Sequence, residues 1–157
     1  MKKIFSLIVL LVALSSCEED VKFNNPTVQG LKDDMLWRAV QFSATKASNG
    51  ALTVTATNGF ETLTLKAQGT DPGTYDLGVN ETNKASFVFS SPEFNTAYQT
   101  GAGIGDGQLI ISARPDETNV AGGYITGNFR FNAYDGEGNA VNFRDGVFYR
   151  IPIHVMP

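Results

Sequence analysis

The chain has 157 residues, 42% hydrophobic and 18% charged, with a formal charge of −4, one histidine and one cysteine. Without a basic patch this acidic balance excludes nucleic acid as a partner, and a lone His154 excludes zinc sites built from several His or Cys ligands and any Cys–His nucleophile. The length suits one domain with a core of its own, and neither a metal nor another cofactor is expected.

The first element is a short basic segment, Met1 to Lys3, followed by the run "IFSLIVLLVAL" from Ile4 to Leu14. As a helix this run reaches about 16 Å, roughly half of a hydrocarbon core. It is too short to span and is apolar all round, which fits the h-region of a secretory signal better than an amphipathic core helix. Leu14, Ser15, Ser16 and Cys17 then resemble the bacterial lipobox. The resemblance implies cleavage after Ser16, diacylglycerol on the Cys17 sulfur and acylation of the new amino terminus, with membrane lipid as the first partner. Residues 1–16 are therefore read as a cleaved lipoprotein signal peptide and residues 17–26 as a lipidated acidic tether. The acids Glu18, Glu19 and Asp20 open that tether. A solvated linker is the plain reading. Their place also resembles the export signal of Bacteroidota surface lipoproteins, which implies the outer membrane and a domain facing the cell exterior.

Cleavage takes Lys2 and Lys3 with it and leaves ten basic against sixteen acidic side chains, a formal charge of −6. With Cys17 lipidated no thiol remains, so the domain must hold together in an oxidising compartment without a disulfide.

Residues 27–157 are read as one all-β domain. Val21 to Gln29, with Pro26, leads into a first strand. Period-two alternation, the mark of a half-buried strand, then recurs. It runs through "ALTVTAT" (Leu52, Val54, Ala56) and "TLTLKA" (Leu63, Leu65, Ala67), with the hairpin signal Asn58-Gly59 between them. "GTYDLG", "ASFVFS", "AYQTG", "QLIISA", "YITGNFRFNAY", "AVNFR" and "VFYRIPI" follow, separated by Gly, Pro, Asn and Asp clusters. No stretch sustains a helical period. The pattern predicts a single antiparallel β-sandwich of about ten strands, or alternatively a closed or partly open β-barrel.

The best-defined piece is the hairpin around "DGEGN", Asp135 to Asn139. Closing it at Tyr134 and Ala140 sets Phe131 opposite Phe143 and Ala133 opposite Val141, all inward with Ile125 and Phe129. On the outer face the same register sets Asn132 opposite Asn142 and Arg130 opposite Arg144. Like charges directly across a pair repel, so something must neutralise them. That is either a carboxylate from a neighbouring strand or splaying of the side chains into solvent, or else an anionic or carbohydrate ligand held by Arg130, Arg144, Asn132 and Asn142 with Tyr134 as a platform.

Other motifs carry less. "SATK", Ser43 to Lys46, fits the S-x-x-K pattern of serine acyl enzymes, but its surroundings are β-like and no K-T-G follows. Asp135, Glu137 and Asn139 are spaced like the start of a calcium loop that then fails at its later positions, so a hairpin turn is expected. "GAGIGDG", Gly101 to Gly107, lacks phosphate-loop spacing and reads as a loop that could edge a binding site. Asp33-Asp34 and Asp116-Glu117 point to opposite faces of an extended chain and form no acid/base couple. Trp37 is read as core or interface rather than a sugar platform. No catalytic residue is assigned.

"GTYDLG", "AYQTG", "GQLIISA", "ITGNFRFNA" and "DGVFYRIPI" together resemble small Bacteroidota outer-membrane lipoproteins with a single all-β domain of unknown function. The resemblance spans roughly residues 27–153 and implies no catalytic residues. It departs at Lys32 to Met35, where a glycine turn is expected before the tryptophan. The functional expectation is a lipid-anchored surface domain with a non-enzymatic binding role, its partner a protein or a glycan. The alternatives are an accessory subunit docking onto another envelope protein and, less favoured, a hydrolase.

Overall fold

The structure, a computed structural model, describes residues 25–157. The signal peptide, Cys17 and the acids Glu18, Glu19 and Asp20 lie outside the described residues. Eleven strands and no helix form among those described: β1 Thr27–Lys32, β2 Met35–Arg38, β3 Gln41–Lys46, β4 Leu52–Asn58, β5 Glu61–Ala67, β6 Gly73–Leu77, β7 Lys84–Ser90, β8 Asn95–Gln99, β9 Asp106–Ile111, β10 Tyr124–Tyr134 and β11 Ala140–Val155.

All eleven belong to one sheet, antiparallel except where β11 runs parallel to β3. The ladder passes from β11 through β3, β4, β5, β7, β8 and β10 and back to β11, closing a ring. Two short wings flank it. β1 pairs with β11 ahead of β3 and carries β2; β9 pairs with β10 below β8 and carries β6. The sandwich and the barrel expected from the sequence thus describe one molecule, a folded-over sheet whose layers join at both seams. The seam between β8 and β10 is a single bridge, Gln99 to Tyr134.

The alternation explains the core. Leu52, Val54 and Ala56 on β4 and Leu63, Leu65 and Ala67 on β5 are all buried, while the threonines between them are not. Facing them, Phe129, Phe131, Phe143 and Phe148 are buried from β10 and β11. Phe143 packs on Phe131 at 5.0 Å between centroids, on Phe87 at 5.4 Å and edge-on to Trp37 at 5.7 Å, which ties the two layers together. Offset and edge-on pairs of this kind contribute about 0.5–1.5 kcal/mol each beyond area burial. Trp37 is core, 3% exposed.

β11 is one strand where the sequence suggested two, and two bulges let it continue. At each, a non-glycine residue takes positive φ, Asp145 at 49° and Arg150 at 44°, and two residues of β11 oppose one of β10. Between the bulges, glycines and rings exchange places across the pair: Gly127 lies beneath Phe148, and Gly146 beneath Phe129. A Cβ on Gly127 would stand 2.2 Å from the Ile110 carbonyl oxygen and 2.3 Å from the Phe148 ring.

The β1–β2 turn needs no glycine. Asp33 and Asp34 both adopt left-handed φ (47° and 66°), a region that aspartate tolerates better than most residues. The Asp33 N–H donates to the Asn142 carbonyl at 3.0 Å and the Asp33 carboxylate accepts from the Asn142 N–H at 3.0 Å, which fastens the turn to β11.

Candidate functional site

The outer face of the β10–β11 hairpin has the expected register at one end and a different one at the other. Tyr134 pairs with Ala140, Ala133 with Val141, Asn132 with Asn142 and Phe131 with Phe143. Arg130 is not paired with Arg144 alone but stands against two residues, Arg144 and Asp145. The bulge at Asp145 intervenes, and beyond it Phe129 pairs with Gly146. Each arginine finds its own partner: Arg130 donates to the Gln108 amide oxygen at 3.0 Å, and Arg144 forms an exposed ion pair with Asp34.

Two polar rows run across the face. In the first, Gln108 donates to Asp76 at 3.3 Å and accepts from Arg130. In the second, Asn142 donates to Asn132 at 2.7 Å, and Asn132 donates to Asp106 at 3.0 Å. Tyr134 is partly exposed beyond the second row. The structure thus brings Asn132, Asn142 and Tyr134 together, and it gives each arginine and each amide a partner within the chain.

The lesser motifs resolve simply. Ser43 to Lys46 lie within β3, with no helix for an acyl-enzyme serine to open. Asp135 caps its own hairpin by accepting from the N–H groups of Glu137 and Asn139, and the hydrogen bond from the Asn139 side chain is the main cause that holds its carboxyl below the usual range. The Gly101–Gly107 loop is clasped by Glu81, which accepts from the Ala102 N–H at 2.8 Å. Asp116 and Glu117 both pair with Arg114. Among the described residues no three His, Cys, Asp or Glu side chains gather where they could hold a metal ion.

A different site is built at the end of the ring where β8 leaves β10. Because that ladder ends after one bridge, the inward side of the β7–β8 hairpin continues past the core and opens into a cavity of about 370 Å³. Phe87 on β7 is buried at its floor; Phe89, Tyr98 and the turn residue Phe94 form one wall. Lys32 from the end of β1 stands across from them, and Glu61 at the start of β5 sits beside Phe89, its partner in the β5–β7 ladder. Lys32 and Glu61 form an ion pair, Lys32 lies over the Phe87 ring at 4.8 Å, and the Trp37 indole N–H donates to the other Glu61 oxygen at 2.7 Å. Asp33 and Thr96 complete the polar part of the lining.

A family profile described as "Domain of unknown function (DUF6252)" matches residues 24–152. The chain belongs to the DUF6252 family. A second profile, "Prokaryotic membrane lipoprotein lipid attachment site", matches residues 1–17 and ends on Cys17. It supports membrane anchoring through lipid on that cysteine, as the lipobox resemblance implied. No curated protein and no solved structure gives a significant match to the chain.

In this DUF6252 domain the cleft is what sequence reading missed. Lys32, Glu61 and Phe94 come from three separate turns, and no local spacing links them. One signal was present: Phe87 and Phe89 share a parity with no turn between them, yet "ASFVFS" runs on toward a polar turn that carries another phenylalanine, Phe94. An apolar row prolonged beyond the core is the mark of a lined mouth.

Proposed function

We propose that the chain is a non-enzymatic binding module, held in the outer membrane by acylated Cys17, facing the cell exterior and binding a protein or a glycan. The observation that carries this reading is where the cleft opens. β1 enters the sheet at Thr27, opposite Tyr149, and arrives at the cleft with Lys32, opposite Phe143. Those five steps of strand cover about 17 Å. The tether therefore joins the domain at the end of β1 remote from the cleft, and its ten residues reach at most about 35 Å. An aromatic-lined cavity turned away from its own anchor is accessible to a partner arriving from the medium. The acids after Cys17 support outward display, since they resemble the export signal of Bacteroidota surface lipoproteins. A binding role is favoured over hydrolysis because the cleft carboxylates are already engaged, Glu61 by Lys32 and Trp37, and Asp33 by the Asn142 N–H.

One observation favours the accessory-subunit reading. β2 ends the sheet with Met35 and Leu36 exposed, a short apolar edge to which another envelope protein could add. The two readings separate in one experiment: affinity purification of the tagged, lipidated protein from its native membrane, as wild type, Phe94→Ala and Leu36→Lys. A co-purifying protein or glycan lost with Phe94→Ala supports the cleft reading. A protein lost only with Leu36→Lys supports the accessory role. Recovery identical to an untagged control for all three overturns both.

A further inference from the structure

We infer that the cleft is a saccharide site that takes a neutral sugar ring. This rests on the binding-module reading above and gives it a ligand class.

The aromatic wall is the first part of the argument. Phe94 is 59% exposed, and its ring tilts against Phe89 with centroids 6.1 Å apart. Phe60, also exposed, extends the patch on the other side of Phe89 at 6.3 Å. Large rings clustered at a mouth, with no strand above to cover them, form a platform rather than a core. An aromatic face is negative and attracts the weakly positive C–H groups on the apolar face of a pyranose.

The polar wall narrows the class. Lys32 and Glu61 neutralise each other and present donor and acceptor side by side, with Asp33 leaving the lining one negative charge in excess. An anionic ligand would gain Lys32 but meet Glu61 and Asp33; a cation would have to compete with Lys32 for Glu61 and with the Asn142 N–H for Asp33. A purely apolar ligand would cover the ion pair without giving it a hydrogen bond, which is costly. A hydroxyl both donates and accepts and can answer both partners at once. A ring with an apolar face and a hydroxyl edge matches the two walls together. The volume, about 370 Å³, falls within the ~300–1,000 Å³ of small-molecule sites.

Trp37 makes the proposal measurable. It is the only tryptophan of the chain, and its N–H is bonded to the Glu61 carboxylate that the ligand would engage. The lipidated protein, in micelles of a detergent without a sugar headgroup, is titrated with hexasaccharides of glucose, mannose, xylose, galactose and N-acetylglucosamine. A heparin fragment and a phenylalanine-rich peptide are run alongside. Binding is followed by calorimetry and by Trp37 emission.

The result expected is saturable binding of at least one neutral oligosaccharide with a change in Trp37 emission. Phe94→Ala and Tyr98→Ala should each weaken it about tenfold or more, and Val155→Ala, an exposed residue at the far end of β11, should leave it unchanged. Phe94 is exposed enough for its variant to fold even where Tyr98→Ala does not. Sugar binding that survives Phe94→Ala overturns the site. Binding of the peptide or heparin alone overturns the ligand class but leaves the binding-module reading standing. Binding of none of the probes overturns the inference, whereas the binding-module reading falls only if the membrane purification also recovers nothing.

Discussion

Replacing Glu61 tests whether the cleft and the core are joined through one carboxylate. In Glu61→Ala the Trp37 indole N–H, 2.7 Å from Glu61 and on a side chain only 3% exposed, loses its acceptor. A buried donor left unsatisfied costs about 1–3 kcal/mol. The ion pair to Lys32 is lost as well. Both side chains keep some contact with solvent, 23% and 18%, so its share is set at the scale of surface pairs, about 0–1 kcal/mol. The expected destabilisation is about 1–4 kcal/mol in all. Glu61→Gln removes the charge but keeps a carbonyl oxygen in reach of Trp37, so only the ion-pair part, about 0–1 kcal/mol, should go. Urea unfolding followed by Trp37 emission measures both variants with an unambiguous reporter, since the chain has one tryptophan. The reasoning is refuted if Glu61→Gln unfolds as early as Glu61→Ala, or if neither departs from wild type by more than about 0.5 kcal/mol.

Gly127→Ala forces a methyl against the Ile110 carbonyl and the Phe148 ring and should lower stability by about 3 kcal/mol, the upper end for overpacking, while Gly136→Ala, with open space around it, should lie within about 0.5 kcal/mol; thermal melts compare them. Cys17→Ala should abolish acyl labelling and move the protein from the membrane to the soluble fraction, and undiminished labelling would sink the anchor. Neutral residues in place of Glu18, Glu19 and Asp20 should reduce protease accessibility on intact cells, and unchanged accessibility removes the export reading. The Glu81 carboxyl is held below the usual range chiefly by the hydrogen bond from Lys84, then by the Ala102 N–H. A depressed folded-state value means that this clasp stabilises above the unfolded value and is lost as pH falls through the folded one. Hydrogen exchange at the Ala102 amide, corrected for intrinsic rates, should therefore lose protection in acid, and Glu81→Gln should flatten that dependence.

The fold was legible where alternation was clean. The runs on β4, β5, β7 and β10 announce themselves because every second residue is apolar, and the hairpin register followed from the parity of Phe131, Ala133, Val141 and Phe143. Long-range pairing was not legible. The parallel contact of β11 with β3 and the shared edges of β10 and β11 depend on how far the sheet curls, which no local pattern records. The bulge at Asp145 shows the limit most clearly. "RDGV" carries turn residues, so it reads as a break between two strands, and only the partner strands reveal a kink within one. That single extra residue replaced the one-to-one pairing of Arg130 with Arg144 on which the first candidate site was argued, and each arginine has a partner of its own. The cleft stayed hidden for a related reason: Lys32, Glu61 and Phe94 belong to three separate turns that line one cavity only in the folded sheet.

The final strand is also the one on which the rest depends. β11 is the partner of β1, β3 and β10, so the beginning, middle and end of the domain are joined through its sixteen residues. Contacts this distant along the chain make folding slow, and here they cannot start until the C-terminus is available. The ring therefore closes last at β11, and a domain cut short before Ala140 would lack the one strand that partners β1, β3 and β10 together.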